Sequence, residues 1–139
     1  MTHEFSLRTS GAGLYEFTQD VARWLDALDG PRDGVLTLFV RHTSCSLIIQ
    51  ENADPEVQSD LRAFFDRLVP SSTHASMSYL RHTYEGPDDM PAHIKATLMP
   101  VSLSIPVAQG RMVLGTWQGI YLFEHRTAPH TRRVAAHLG

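Results

Sequence analysis

Between His82 and His93 the chain sets two histidines and three carboxylates, Glu85, Asp88 and Asp89, within twelve residues. Imidazole nitrogens and carboxylate oxygens are the donors that zinc, manganese and similar divalent ions take. Gly86-Pro87 allows the loop to turn back, so that His82 and His93 approach one another, with His93 about one turn into a helix. The spacing is not the helical His-x-x-x-His of a zinc protease, and Asp88 and Asp89 serve equally well as helix caps. The chain holds eight histidines in 139 residues, an unusual supply of groups that titrate near neutral pH and bind metals.

Three further clusters carry polar chemistry. His42-Thr43-Ser44 lies near the end of an apolar strand, where a side chain reaches the rim of the core. The plainer role for His42 is a core-edge imidazole bonded to backbone. Glu51-Asn52-Ala53-Asp54 precedes Pro55 at a helix start, a place for an N-cap aspartate and also for an anion held by unpaired N–H groups. Capping is the favoured role for Asp54. Last, Gly115-Thr116-Trp117-Gln118-Gly119 leads to Glu124-His125-Arg126, with Arg132 and Arg133 beyond. Glycines in a strand region suggest a bulge or a close approach by a ligand. The arginines suit phosphate, or simply a solvated strand end.

The elements that must position these groups follow from periodicity. Glu4 to Thr9 alternates as a strand does. Val21, Trp24, Leu25 and Leu28 share one face of a helix that starts at Thr18 and stops at Gly30-Pro31. Gly34 to Ser46 reads as one strand, with His42 on the face of Leu36, Leu38 and Val40 and Cys45 on the other, and Leu47 to Ile49 continuing past a bend. A second helix starts at Asp54-Pro55, buries Val57, Leu61, Phe64, Phe65 and Leu68, and stops at Pro70. Ser71 to Pro87 is loop-like with a short strand near Met77 to Leu80, and a third helix runs from Asp89 to Leu98. Strands follow at Val101 to Pro106, Met112 to Thr116, Gln118 to Glu124 and Thr131 to Leu138, the first two joined by a Gln109-Gly110 turn. Grouped strands with helices early and in the middle predict a single α+β domain, a twisted and mostly antiparallel sheet or sandwich with about three helices.

Composition narrows the setting. Twelve basic against 15 acidic residues give a charge of −3, too near neutral for a nucleic-acid or membrane-surface protein. No apolar run approaches the roughly 20 residues that span a bilayer, and the N-terminus lacks the order of a signal peptide. The single cysteine, Cys45, fits a reducing compartment, so a soluble cytoplasmic protein is expected.

Taken in order, His42-Thr43-Ser44, Glu51-Asn52-Ala53-Asp54-Pro55, the run from Tyr84 to Lys95, Gly110-Arg111, Leu114 to Ile120 and Glu124-His125-Arg126 resemble the YjbQ-like family across nearly the whole chain. The resemblance implies a homotrimer of small α+β domains, a histidine-bound divalent metal (zinc, magnesium or manganese) and a secondary thiamine-phosphate synthase activity. That reaction joins an aminopyrimidine diphosphate to a thiazole phosphate and releases pyrophosphate. On this reading His82, His93 and His125 hold the ion. Lys95, Arg126 and Arg132 meet phosphates, and Ser44 and Asn52 add hydrogen bonds. His42 or Glu51 moves a proton, Gln118 reads the pyrimidine edge, and Asp54 completes the catalytic group. Two other functions use the same residues: a non-catalytic module binding a metal and a phosphorylated metabolite, and a metal-assisted hydrolase. The chain departs from the family pattern at Cys45, where a small residue such as alanine is common. It departs again at Thr127-Ala128-Pro129-His130-Thr131, which replaces a glycine-containing loop before the paired arginines with a stiffer one.

Overall fold

The computed structural model describes residues 1–30 and 32–139. Among the described residues eight strands form two antiparallel sheets. In chain order the elements are β1 (Thr2–Thr9), β2 (Gly13–Glu16), α1 (Thr18–Asp26), β3 (Gly34–Val40), β4 (Cys45–Glu51), α2 (Pro55–Leu68), α3 (Asp89–Leu98), β5 (Ser102–Ala108), β6 (Arg111–Met112), β7 (Gln118–Glu124) and β8 (His130–Leu138), with one 3-10 turn at Ala75–Met77. The larger sheet has the order β1-β8-β3-β5-β6 and the smaller one β2-β7-β4. The α+β expectation, with three helices on curled antiparallel sheets, holds.

Alternation of side chains across each strand sorts the layers. Leu36, Leu38 and Val40 of β3, Ile105 and Val107 of β5 and Val134, Ala136 and Leu138 of β8 point inward. Facing them are Cys45 and Leu47 of β4 and Ile120 and Leu122 of β7, with Phe17, Val21 and Leu25 closing one side. The other face of the small sheet carries Ser46, Tyr121 and Phe123 and lies under the helices. Phe65 of α2 meets Phe123 edge-on at 5.9 Å, and the Gln58 amide donates to the Tyr121 hydroxyl at 3.1 Å.

Several sequence expectations need correction. The strand drawn from Gly34 to Ser46 is two strands in different sheets, broken at residues 41–44. The alternation ran on through the corner because His42 and Ser44 happen to keep period two with Leu36, Leu38 and Val40. The β2 strand was not anticipated, being four residues long beside two glycines. Met77 to Leu80 holds the end of the 3-10 turn rather than a strand, and the strand at Met112 to Thr116 is the short β6. Helix α1 ends at Asp26 with Ala27 as its cap, before Gly30-Pro31, and Pro31 lies outside the described residues. The expected buried stripe of α2 is not buried: none of its residues is, and Phe64 and Leu68 are 58% and 54% exposed. Other signals held. Asp54 Oδ1 accepts the Glu56 N–H at 2.9 Å with Pro55 in the first turn. Gln109 and Gly110 both take positive φ (53° and 78°), the geometry of the tight turn between β5 and β6.

Candidate metal centre

The site grows from three pieces of chain: the loop before α3, the first turns of α3, and the β3–β4 corner. Gly86 takes φ 105°, a conformation open to glycine, and swings the loop so that Glu85 and Asp88 face the end of β7. Asp89 and His93 are four residues apart in α3 and so share a face. The side chains converge: His82 Nε2 lies 2.9 Å from Asp89 Oδ2, and His93 Nε2 lies 3.3 Å from the same oxygen. All three atoms fall within 4.8 Å of one another. For a tetrahedral ion with bonds of 2.0–2.1 Å, ligand atoms stand about 3.3 Å apart, so the donor set and its spacing fit a small divalent cation. Asp89 is buried while both histidines are about one-third exposed, which leaves an open side toward solvent.

The protonation pattern argues in the same direction. His93 Nδ1 lies 2.8 Å from the Thr43 carbonyl, which can only accept, so Nδ1 carries the proton. A neutral His93 therefore turns a bare Nε2 lone pair toward the Asp89 carboxylate, acceptor against acceptor. At His82 one Nε2 faces two carboxylates, Asp89 and Glu85, the latter at 2.6 Å. Three carboxylates (Glu85, Asp88, Asp89) against the single guanidinium of Arg126 leave a charge of −2 when both imidazoles are neutral. A divalent cation, or protons on the imidazoles, resolves the excess of acceptors.

Arg126 ties this loop to β7. Its Nε donates to Asp88 Oδ2 (2.9 Å), Nη1 to Asp89 Oδ1 (2.8 Å) and Nη2 to the Glu85 carbonyl (3.2 Å). Burial alone would raise the Asp88 carboxyl, but the Thr127 N–H and the Arg126 guanidinium outweigh it and hold it below the usual carboxylate range. Asp88 occupies the N-cap position of α3 without capping it, because its oxygens face Arg126 and Thr127.

The remaining expected site residues divide. His125 does not join the cluster: its Nε2 lies 2.9 Å from Ser46 Oγ, its Nδ1 is buried with no partner among the described residues, and burial chiefly pushes its pKa down to about 3. The reason is the alternation of β7, which turns His125 under the helices beside Phe123. Arg132 is buried, and its guanidinium reaches Glu124 Oε1 (2.8 Å) and Ser44 Oγ (2.8 Å). This core ion pair takes both Arg132 and Ser44 from any phosphate. Burial would raise Glu124, yet Arg132 and Thr9 together hold it low. Lys95 pairs with Asp66 at 2.7 Å. His42 Nε2 accepts the Arg133 N–H at 2.8 Å, the backbone-bonded role, and burial followed by the Arg132 charge lowers its pKa. Buried Cys45 has its thiol pushed up by burial to about 12 and is inert.

Glu51, Asn52, Asp54 and Gln118 gather at the opposite end of β7, about 20 Å away along a strand of seven residues at ~3.3 Å each. There Gln118 Oε1 accepts the Gly115 N–H (2.7 Å), Glu51 accepts the Asp54 N–H (3.2 Å) and Asn52 donates to Glu16 (3.3 Å). These bonds shape turns. Within one chain Glu51, Asp54 and Gln118 are therefore apart from the histidine cluster, whereas His42 is next in the chain to Thr43, whose carbonyl holds His93. A groove of about 640 Å³ between β2 and α2, lined by Tyr15, Gln58, Arg62 and Asp66, contains none of the expected site residues.

In the sequence Asp89 is one of three acids in the loop, and only its i, i+4 spacing to His93 signals that its carboxylate joins the two histidines. Glu16 had no signal, since its partners Thr18 and Asn52 come from separate elements.

Two antiparallel sheets around a shared core, with a His-Asp-His cluster at the head of α3, define a small α+β protein with a candidate metal site. The chain belongs to the family described as UPF0047 protein YjbQ-like, whose model matches residues 3–139. It is 48% identical over 132 residues to the UPF0047 protein sll1880 of Synechocystis, covering 95% of this chain and 86% of that one. It is 41% identical over 133 residues to the UPF0047 protein YjbQ of Escherichia coli O157:H7, covering 96% and 93%. A conserved hypothetical protein of Thermus thermophilus superposes with a TM-score of 0.83 at 32% identity, over 99% of both chains. Among the described residues no helix is long and apolar enough to cross a membrane.

Proposed function

We propose that the chain is a divalent-metal-dependent enzyme that acts on phosphorylated metabolites, a transferase of the thiamine-phosphate synthase type. The observation that carries the reading is the facing pair of acceptors at His93 and Asp89, set by the Thr43 carbonyl. His82, Asp89 and His93 would hold the ion. Bound there, it would supply the positive charge that a departing pyrophosphate needs. Glu85, half-exposed at the rim, stands beside His82 where a substrate proton can be handled. Because Lys95, Arg126 and Arg132 are engaged in ion pairs, phosphate contact falls to the ion itself and to Arg81, an exposed cation adjacent to His82 in the chain.

We further propose a homotrimer working in the cytoplasm. The uncovered apolar side chains of α2 support assembly, and the lone buried thiol suits a reducing compartment. A second reading, a binding module for a metal and a phosphorylated metabolite, is favoured by those same paired cations, which leave little machinery for turnover.

The test is thiamine-phosphate formation from the aminopyrimidine diphosphate and thiazole phosphate, with and without zinc, magnesium or manganese, beside His93→Ala. Metal-dependent product that is lost in the variant supports the transferase. Tight metal binding without product under any ion favours the module. Phosphate released from a simple ester with no thiazole acceptor would instead indicate hydrolysis.

A further inference from the structure

Arg126 was expected to meet a substrate phosphate. We propose instead that Arg126, with Asp88, is the positioning clamp of the metal site. This inference rests on the metal reading above. The guanidinium is planar and presents its donors in a rigid fork. Here each arm of that fork is taken by one stretch of loop: Asp88 through Nε, Asp89 through Nη1 and the Glu85 carbonyl through Nη2. Asp88 in turn accepts the Thr127 N–H at 2.9 Å and the Thr127 hydroxyl at 3.2 Å, so the clamp is anchored to the chain just past β7.

The consequence for Asp89 is geometric. Its Oδ1 is held by Arg126, so its Oδ2 is the oxygen left to face both histidines. Released from Arg126, the carboxylate is free to rotate about its last bond and to turn either oxygen, or neither, to the cluster. His93 is fixed from the other side by the Thr43 carbonyl. The two outer contacts therefore come from opposite walls, the β7 end and the β3–β4 corner, and fix a carboxylate and an imidazole against each other. Outer partners of this kind typically change metal affinity by about 10–100-fold. Gly86 belongs to the same device: a Cβ there would stand 3.1 Å from Asp88 Oδ1, crowding the carboxylate that Arg126 grips.

The experiment is zinc affinity by chelator competition, with the cobalt(II) absorption spectrum as a second readout, on the full chain and on Arg126→Lys, Asp88→Asn and Asp89→Asn. Lysine keeps the charge and loses the fork. Arg126→Lys is expected to bind zinc about 10–100-fold more weakly with a shifted cobalt spectrum. Asp88→Asn should fall in the same direction by a smaller factor, and Asp89→Asn should fall furthest. Circular dichroism and melting temperature show whether each variant is folded, and Asp88→Asn carries the test if Arg126→Lys is not. Zinc affinity within twofold of the parent in the folded variants, with an unchanged cobalt spectrum, overturns the clamp while leaving the metal site standing. A parent protein that binds neither zinc nor cobalt overturns the metal reading itself.

Discussion

The two ends of β7 carry equally polar sequence and do different things. At the Gln118 end, side chains answer nearby backbone: Gln118 closes on Gly115, and Glu51 closes on Asp54. At the Glu124 end, three consecutive residues go three ways. Glu124 enters the core to meet Arg132, His125 turns beneath the helices, and Arg126 reaches out to clamp the acidic loop. The first end satisfies its own hydrogen bonds and stops. The second anchors a loop whose carboxylates outnumber the cationic groups that face them when the imidazoles are neutral. Polar density in a sequence does not distinguish these cases; what matters is whether the donors and acceptors balance locally.

The comparison can be broken from the Glu124 end most forcefully. Glu124→Gln leaves the Arg132 charge buried without its counterpart, and destabilisation of about 3–5 kcal/mol is expected by denaturant melts. A loss under about 1 kcal/mol, the scale of an exposed pair, would mean that Arg132 reaches water and that this end is as locally satisfied as the other.

Zinc sharpens the contrast next. At a free concentration about one hundredfold above Kd, it should add about 2.7 kcal/mol to stability. His93→Ala should show no such gain while its metal-free melting point stays within a few degrees. Equal zinc stabilisation in that variant would remove the histidine cluster from the account.

A pH-dependent effect, read as a slope, separates His125 from its neighbours. Its folded pKa of about 3 lies below the usual histidine value of 6.5. The unfolded chain thus binds the proton first as pH falls. The stability from keeping His125 neutral is fully present above pH 6.5 and is lost as pH drops toward 3, by at most ~1.4 kcal/mol per pH unit. His125→Gln should flatten the wild-type slope between about pH 6 and 4, inside that window. An unchanged slope would show that the imidazole is not shielded from protonation.

The smallest effect belongs to the Gln118 end. A Cβ at Gly119 would stand 2.6 Å from Glu16 Oε2 and 3.1 Å from Asn52 Cβ. The Glu16 carboxylate can swing aside, so Gly119→Ala should cost about 1 kcal/mol. Zinc affinity should not change. A changed affinity would join the two ends into one site.

Legibility followed the range of the interaction. The Asp54-Pro55 helix start and the Gln109-Gly110 turn were readable because each is settled within a few residues by capping geometry or by positive φ. So was the pairing of His82 with His93 across a glycine turn. The break at residues 41–44 was not readable, since it is imposed by two sheets that need the same chain on both. Nor was the exposure of α2, whose stripe looks like that of any core-facing helix although Phe64 and Leu68 stay exposed and only its Val57, Leu61 and Phe65 side is partly covered.

By itself the sequence determined the family, the α+β class and the loop in which imidazole and carboxylate groups collect, because those depend on local pattern and on motifs kept in order along the chain. Only the tertiary structure decided which charged groups remain available. Arg132 and Lys95 are paired by residues from other elements, His125 is turned inward by strand alternation, and Asp89 is drawn in by Arg126 from 37 residues away. A side chain's chemistry is set by what neutralises it, and that partner is chosen by the fold.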